Sequence, residues 1–214
     1  MKAVSLQLAN RTLLNPAAPQ WRKVPSEDVP LGGTPLHLQP TRYQRTAWAG
    51  KPVGSVRSVK VQVAHNGANI AFRLEWPDPT QNTDHSDGAA FPDAAAILFP
   101  VGKDAPLETM GSPKEPVNAW YWRANLPEGE TQNLLATGLG TVEEAAKSPA
   151  QASARWYRGR WQLVMTRPLA AGKGGVRLAP KKATKVAFAL WDGSSQERAG
   201  LKSFSRHWRE LEIP

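Results

Sequence analysis

The chain contains no cysteine. Disulfides, Cys-ligated zinc, iron–sulfur clusters and covalently attached c-type haem all need thiol sulfur, so this chain builds none of them. It also has no Gly-x-Ser-x-Gly elbow, no phosphate-cradling glycine loop and no dinucleotide fingerprint. Its four histidines, His37, His65, His85 and His207, lie far apart without a paired spacing. Hydrolytic and nucleotide-dependent catalysis therefore have little to stand on, and an autonomous enzyme is not expected. No run of about 18 apolar residues occurs, so no segment is expected to span a bilayer. The opening stretch MKAVSLQLANRTLLNPAAP is interrupted by Gln7, Asn10 and Arg11, which makes it too polar for a secretory signal. The expectation is a soluble chain that, if exported, was processed before this numbering or travels with a partner.

What is present begins with turn formers: 19 prolines and 17 glycines among 214 residues leave little room for long helices. That length supports one substantial core, and β-rich folds of this size are commonly undivided. We expect an extended N-terminal arm over residues 1–40, marked by Pro16, Pro19, Pro25, Pro30 and Pro35, and a single domain over 41–214. The net charge of +9 favours an acidic partner surface or a polyanion by long-range attraction. The basic residues are scattered singly or in pairs such as Lys181-Lys182, and no basic helix or arm emerges to follow a phosphate backbone. Nucleic acid is not the expected partner.

Apolar alternation supplies the fold class. Val59, Val61 and Val63 alternate with polar residues, Asn66-Gly67 offers a two-residue type I′ turn, and Ile70, Phe72, Leu74 and Trp76 alternate afterwards, which predicts a β-hairpin. A second hairpin is predicted around Arg158-Gly159, with Trp156 before it and Trp161, Leu163 and Met165 after it. Further strands are expected at Asp93–Phe99, Val117–Ala124, Lys185–Trp191 and Trp208–Ile213, with Pro35–Pro40 as a short edge strand. Thr141–Ala152 is the one helix-like piece. Together these predict an all-β, antiparallel sandwich with long loops and little helix. Two of those loops, Asp78–Pro92 and Gly102–Pro116, carry almost no apolar periodicity, and loops of that length in a compact domain tend to be functional.

Met110 sits in the second loop, among Gly, Ser and Pro. A thioether in that setting is either an incidental side chain or a soft metal ligand. Nine tryptophans, several on predicted strands, fit a sandwich core, a sugar-stacking platform or the wall of a flat cofactor pocket. His85 with Asp84 and Asp87 forms a polar cluster that could surround a hard cation such as calcium, although a solvated polar loop is the better account.

Four segments then occur in a telling order: AFRLEWPDPTQN (Ala71–Asn82), FPDAAAILFP (Phe91–Pro100), MGSPKEPVNAWYWRA (Met110–Ala124) and VAFALWDGSSQERAGLKSFSRHWRELEI (Val186–Ile213). Over most of residues 56–213 the chain resembles the haem b-binding γ subunits of periplasmic molybdenum enzymes such as ethylbenzene dehydrogenase, dimethylsulfide dehydrogenase, selenate reductase and chlorate reductase. The resemblance implies a sandwich whose loops hold one non-covalent haem b at one side, with Met110 and Lys202 as axial ligands. Asn118 and Trp120, from the Asn-x-Trp strand start, and Trp191, from the Trp-Asp-Gly strand end, are the further cofactor-binding residues it implies. It also implies a heterotrimer with a molybdenum-binding catalytic subunit and an iron–sulfur subunit, a soluble cytochrome as external carrier, and a periplasmic location reached by co-export; a cytoplasmic relative would read the same way.

Lysine binds iron only as the neutral amine, and removing its proton at pH 7 costs about 4.6 kcal/mol from an ordinary pKa near 10.4. A pocket walled by aromatic rings lowers that cost by disfavouring the ammonium form. With both axial positions filled, such a haem exchanges single electrons, and the chain itself performs no substrate chemistry. The alternative from a different class is a carbohydrate-binding sandwich in which exposed tryptophans stack on sugar rings.

Overall fold

A computed structural model describes residues 1–86, 90–170 and 175–214. The strands are β1 (Val4–Ser5), β2 (Glu27–Pro30), β3 (Gly32–Gly33), β4 (Ser58–His65), β5 (Asn69–Pro77), β6 (Ala94–Pro100), β7 (Val117–Arg123), β8 (Gln132–Gly138), β9 (Thr141–Ala146), β10 (Gln151–Trp156), β11 (Arg160–Pro168), β12 (Thr184–Trp191), β13 (Ser203–Phe204) and β14 (Arg209–Leu211). Two short α-helices, α1 (Asn10–Leu14) and α2 (Arg42–Ala47), lie in the N-terminal part. Among the described residues no helix is long and apolar enough to cross a membrane.

The strands form two sheets. Sheet I runs β1-β4-β5-β11-β10, with β2 also on β4; sheet II runs β3-β13-β12-β6-β7-β8-β9, with β14 also on β12. All pairings between these strands are antiparallel except β1 with β4. The fold is therefore the all-β sandwich that the alternation predicts.

Large side chains meet between the sheets, because each strand turns every second residue inward. Val61, Phe72, Leu74, Trp76, Trp161 and Leu163 from sheet I pack on Ile97, Phe99, Trp120, Trp122, Phe188 and Leu190 from sheet II. The rings interlock edge to face across the gap, with Phe72 6.0 Å from Phe99 and Trp122 5.1 Å from Trp161. The first forty residues lie along both sheets: β1 and β2 flank β4, and β3 pairs with β13.

Three local expectations are corrected. Thr141–Ala152 is not helical: β9 folds back on β8 through Gly138 and Gly140, both at positive φ, and Pro149 then separates β9 from β10. Pro35–Pro40 is not a strand, since Leu36–Leu38 form a 3₁₀ turn. In the first hairpin the positive φ falls on Gly67 alone while the Asn66 side chain accepts from Ala68 and Asn69, so the turn centres on Gly67-Ala68 in a II′-like pattern.

Candidate functional site

Parity along β7 divides its residues between two environments. Asn118, Trp120 and Trp122 point toward sheet I, whereas Val117, Ala119 and Tyr121 point to the outer face of sheet II. The same division runs through β6 and β12, where Ile97, Phe99, Phe188 and Leu190 face inward and Ala94, Ala96, Ala187 and Ala189 face outward. The outer face of sheet II is thus floored by methyl groups, and a cavity of about 230 Å³ stands on it. With its open mouth the cleft measures about 790 Å³. Ala96, Ala119 and Ala136 form its floor, Tyr121, Leu134 and Trp191 its walls, and Gly138–Gly140 with Val142 its rim; Met110 and Lys202 also line it.

Met110 reaches this face from a tightly wound loop. Its N–H donates to Leu107 O at 3.0 Å and the Gly111 N–H donates to Pro106 O at 2.7 Å. Met110 has φ 60°, a left-handed conformation that costs a non-glycine residue about 1–2 kcal/mol. Gly111 follows at φ 87°, where a Cβ would come within 2.7 Å of Ala136 O and 2.9 Å of Val117 N. Glycine at that position lets the loop press onto β7 and β8, which holds the neighbouring thioether at the cavity.

Lys202 arrives from the other chain end and is clamped through its backbone. Its carbonyl accepts from Thr34 N at 3.0 Å and Thr34 Oγ1 at 3.2 Å. Two residues earlier, Gly200 O accepts from Gln39 Nε2 at 3.1 Å, and a Cβ on Gly200 would lie 2.3 Å from Gln39 Oε1. Trp191 Nε1 donates to Ala199 O at 3.0 Å, tying the same loop to the end of β12. The Lys202 side chain, by contrast, makes no hydrogen bond and no ion pair among the described residues, and its Nζ lies 5.3 Å from the Trp191 ring centre. Burial pushes its pKa down to about 8. Two other buried cations differ from it: Arg73 bonds Pro16 O, Gln62 Oε1 and Glu75 Oε2 at once, while Arg167 donates to Val176 O and sets its guanidinium 4.5 Å from the Trp120 ring centre.

Tyr121 packs edge to face on Trp191 at 5.3 Å, and burial raises its phenol to about 12, so it stays neutral. The aromatic, alanine-floored cleft therefore offers two donors, one thioether and one amine, in surroundings that favour uncharged forms. No histidine lines it.

The structure brings Met110, Lys202 and Trp191 together in this cavity. Asn118 and Trp120 lie instead on the inward face of β7: Asn118 Nδ2 donates to Asn133 Oδ1 and Leu134 O, and Trp120 lies tilted against Phe99 with ring centres 4.8 Å apart in the inter-sheet core. Ala119 between them is the one that touches the cavity. The alanine floor, Tyr121 and the β8–β9 rim were not anticipated, although the repeated small–large alternation in AAAILF, NAWYW and VAFALW carries the signal. His85 and Asp84 are exposed, and Asp87 lies outside the described residues. A larger, more open cleft of about 730 Å³ around Lys103, Arg177, Lys182 and Lys185 has neither aromatic walls nor a soft donor. Seven of the nine tryptophans are buried and Trp156 and Trp208 are half-buried, which weakens the sugar-stacking alternative.

Comparison with known proteins places this geometry in a family. The ethylbenzene dehydrogenase family model matches residues 18–144 and 135–203. A Haloferax mediterranei protein named as a respiratory nitrate reductase heme subunit is 36% identical over 89% of this chain and 65% of its own length. The chlorate reductase γ subunit of Ideonella dechloratans is 34% identical over 96% of this chain and 82% of its own. The dimethylsulfide dehydrogenase γ subunit of Rhodovulum sulfidophilum is 35% identical over 69% of this chain and 57% of its own. The chain thus spans just under two thirds of the first of these relatives. Among solved structures, a family 9 carbohydrate-binding module from Caldicellulosiruptor kristjanssonii in complex with glucose superposes with a TM-score of 0.54 at 8% identity, covering all of this chain and 95% of that one. The same module with cellotriose gives 0.51 at 6% identity, covering all of this chain and 92% of that one. Identity that low establishes the shared sandwich and nothing more. On the strength of the family match and the three relatives, the chain belongs to the ethylbenzene dehydrogenase family.

Proposed function

We propose that this chain is an electron-transfer subunit in which Met110 Sδ and Lys202 Nζ are the axial ligands of one non-covalent haem b. The observation that carries the reading is Lys202, a buried lysine whose amine has no hydrogen-bond or ion-pair partner among the described residues and shares an apolar, aromatic-walled cavity with Met110. A lysine kept in that state costs stability unless its lone pair is put to use. The donor set fits the group, a soft thioether and an amine whose neutral form burial favours, set on an alanine floor between aromatic walls; at about 230 Å³ the cavity is smaller than the ~300–1,000 Å³ of ordinary ligand pockets, so a haem there would stand partly outside it. Such a site leaves its cofactor partly open, which suits exchange with a partner. A haem bound there supplies single-electron transfer and, with both axial positions taken, no vacancy for a substrate.

The chain's own residues then have distinct tasks. The Thr34 and Gln39 contacts fix the backbone around Lys202, and the Met110-Gly111 turn fixes the thioether. Burial lowers the cost of keeping the amine neutral, and the soft sulfur raises the reduction potential relative to a stronger donor. With no cysteine, the chain leaves iron–sulfur clusters to other subunits. The names of the relatives, a heme subunit and two γ subunits of reductases and a dehydrogenase, support membership of a multi-subunit redox complex; we extend this to a molybdenum-binding catalytic subunit and an iron–sulfur subunit as partners, a soluble cytochrome as carrier, and a periplasmic location reached by co-export.

One absorption spectrum tests the reading. Haem-replete protein is expected to be red with a sharp Soret band that changes in Met110→Ala and in Lys202→Ala and survives replacement of each histidine. A colourless protein, or a spectrum that depends on a histidine, would overturn it.

A further inference from the structure

Away from the cavity, three strand ends bring their carboxylates together: Asp78 follows β5, Asp93 precedes β6 and Asp192 follows β12. Oxygens of all three lie within 4.8 Å of one another, and Asp78 and Asp93 are buried. Among the described residues none of the three forms an ion pair. Asp93 is held in place by Asn82 N and Trp161 Nε1 on Oδ2 and by Gly193 N on Oδ1. Asp192 accepts Ser195 N on Oδ1 and Ser195 Oγ on Oδ2. Asp78 accepts Thr80 N on Oδ1 and nothing on Oδ2, a buried oxygen with no hydrogen bond. The Trp76 indole N–H faces Asp78 and favours its ionised form, in a geometry that leaves both Trp76 Nε1 and Asp78 Oδ2 short of a full hydrogen bond.

An ionised carboxylate has about four lone-pair sites. At least one lone pair of Asp78 Oδ2, and one each on Asp78 Oδ1, Asp93 Oδ1 and both Asp192 oxygens, are therefore left over in a cluster that forms no ion pair among the described residues. We propose that Asp78, Asp93 and Asp192 bind a divalent cation of the calcium class, which pins the end of sheet I to two strand ends of sheet II. The donor set is all oxygen and includes no nitrogen or sulfur, which selects a hard ion. Burial, and then the charge of Asp93, raises Asp78 to about 7, the behaviour of carboxylates crowded together without a counterion. The site is independent of the haem reading, since Asp192 follows Trp191 but its carboxylate does not line the cavity.

The test uses full-length protein dialysed against a chelator, with calcium chloride titrated in by calorimetry and followed by thermal melting, and magnesium chloride as the comparison. Wild type is expected to bind one calcium ion and, at about a hundred times Kd, to gain roughly 5–10 °C in Tm. Asp192→Asn, at the most exposed of the three positions, and Asp78→Asn are each expected to weaken binding at least tenfold and to lose the shift. If wild type gives no heat and no shift, the proposal fails, and Asp78→Asn should then raise Tm by relieving repulsion between carboxylates. Calcium binding that both variants retain would overturn it as well, because the ion would be held elsewhere.

Discussion

Sheet I turns Ala64, Ala71 and Val164 outward, and sheet II turns Ala96, Ala119, Ala187 and Ala189 outward, so both outer faces start from small residues. What covers them differs. On sheet I the chain lays down Leu13 from α1, then Ala18, Trp21 and Val24, and the polar groups there find partners: Gln62 Nε2 bonds Trp21 O and Val24 O, and each nitrogen of the Arg73 guanidinium makes a hydrogen bond. On sheet II, Leu107 and Phe204 cover part of the face, and the remainder stays a cleft with an unpartnered lysine. One face is completed by the chain itself; the other keeps an open cleft, which the proposed haem would fill.

Changes on the two faces should therefore differ in kind. The largest effect is expected from Trp21→Ala, which strips the cover of sheet I and should cost about 3–5 kcal/mol in denaturant unfolding while leaving the haem spectrum unchanged. Next is Lys202→Met in the cofactor-free protein. Lowering the lysine from 10.5 to about 8 corresponds to about 3 kcal/mol against folding, so removing the amine should stabilise the protein by about that amount. The sign has a pH signature. Below about pH 8 the amine is protonated in both states and the penalty is complete; from there to 10.5 the unfolded chain holds the extra proton, so stability rises with pH, and Lys202→Met should flatten that rise. Smallest is a matched pair of additions. Ala71→Leu on the packed face should cost about 1–3 kcal/mol by overpacking, whereas Ala96→Leu in the cleft should cost less and abolish haem uptake. Equal costs in denaturant melts would mean that the two faces are equally filled.

Much of this arrangement is readable before folding. Strand positions follow from period-two apolar residues, and the resemblance motifs lead directly to Met110 and Lys202. Parity along Asn118-Ala119-Trp120 shows that Asn118 and Trp120 share a face, but not which face meets the other sheet; the outcome depends on residues in β5 and β11 that pack against Trp120. Thr141–Val142–Glu143–Glu144 reads locally as helix, yet antiparallel pairing with β8 decides it as strand. The acidic cluster is harder still, because Asp78, Asp93 and Asp192 are single residues in distant segments and only the sandwich edge makes them neighbours.

The central claim is tested most directly by a crystal structure of the haem-loaded protein. The account predicts the iron between Met110 Sδ on one side of the porphyrin and Lys202 Nζ on the other, with the alanine face of sheet II along the ring edge. A haem ligated by other side chains, or a cleft that stays empty while both donors turn to water, would contradict it.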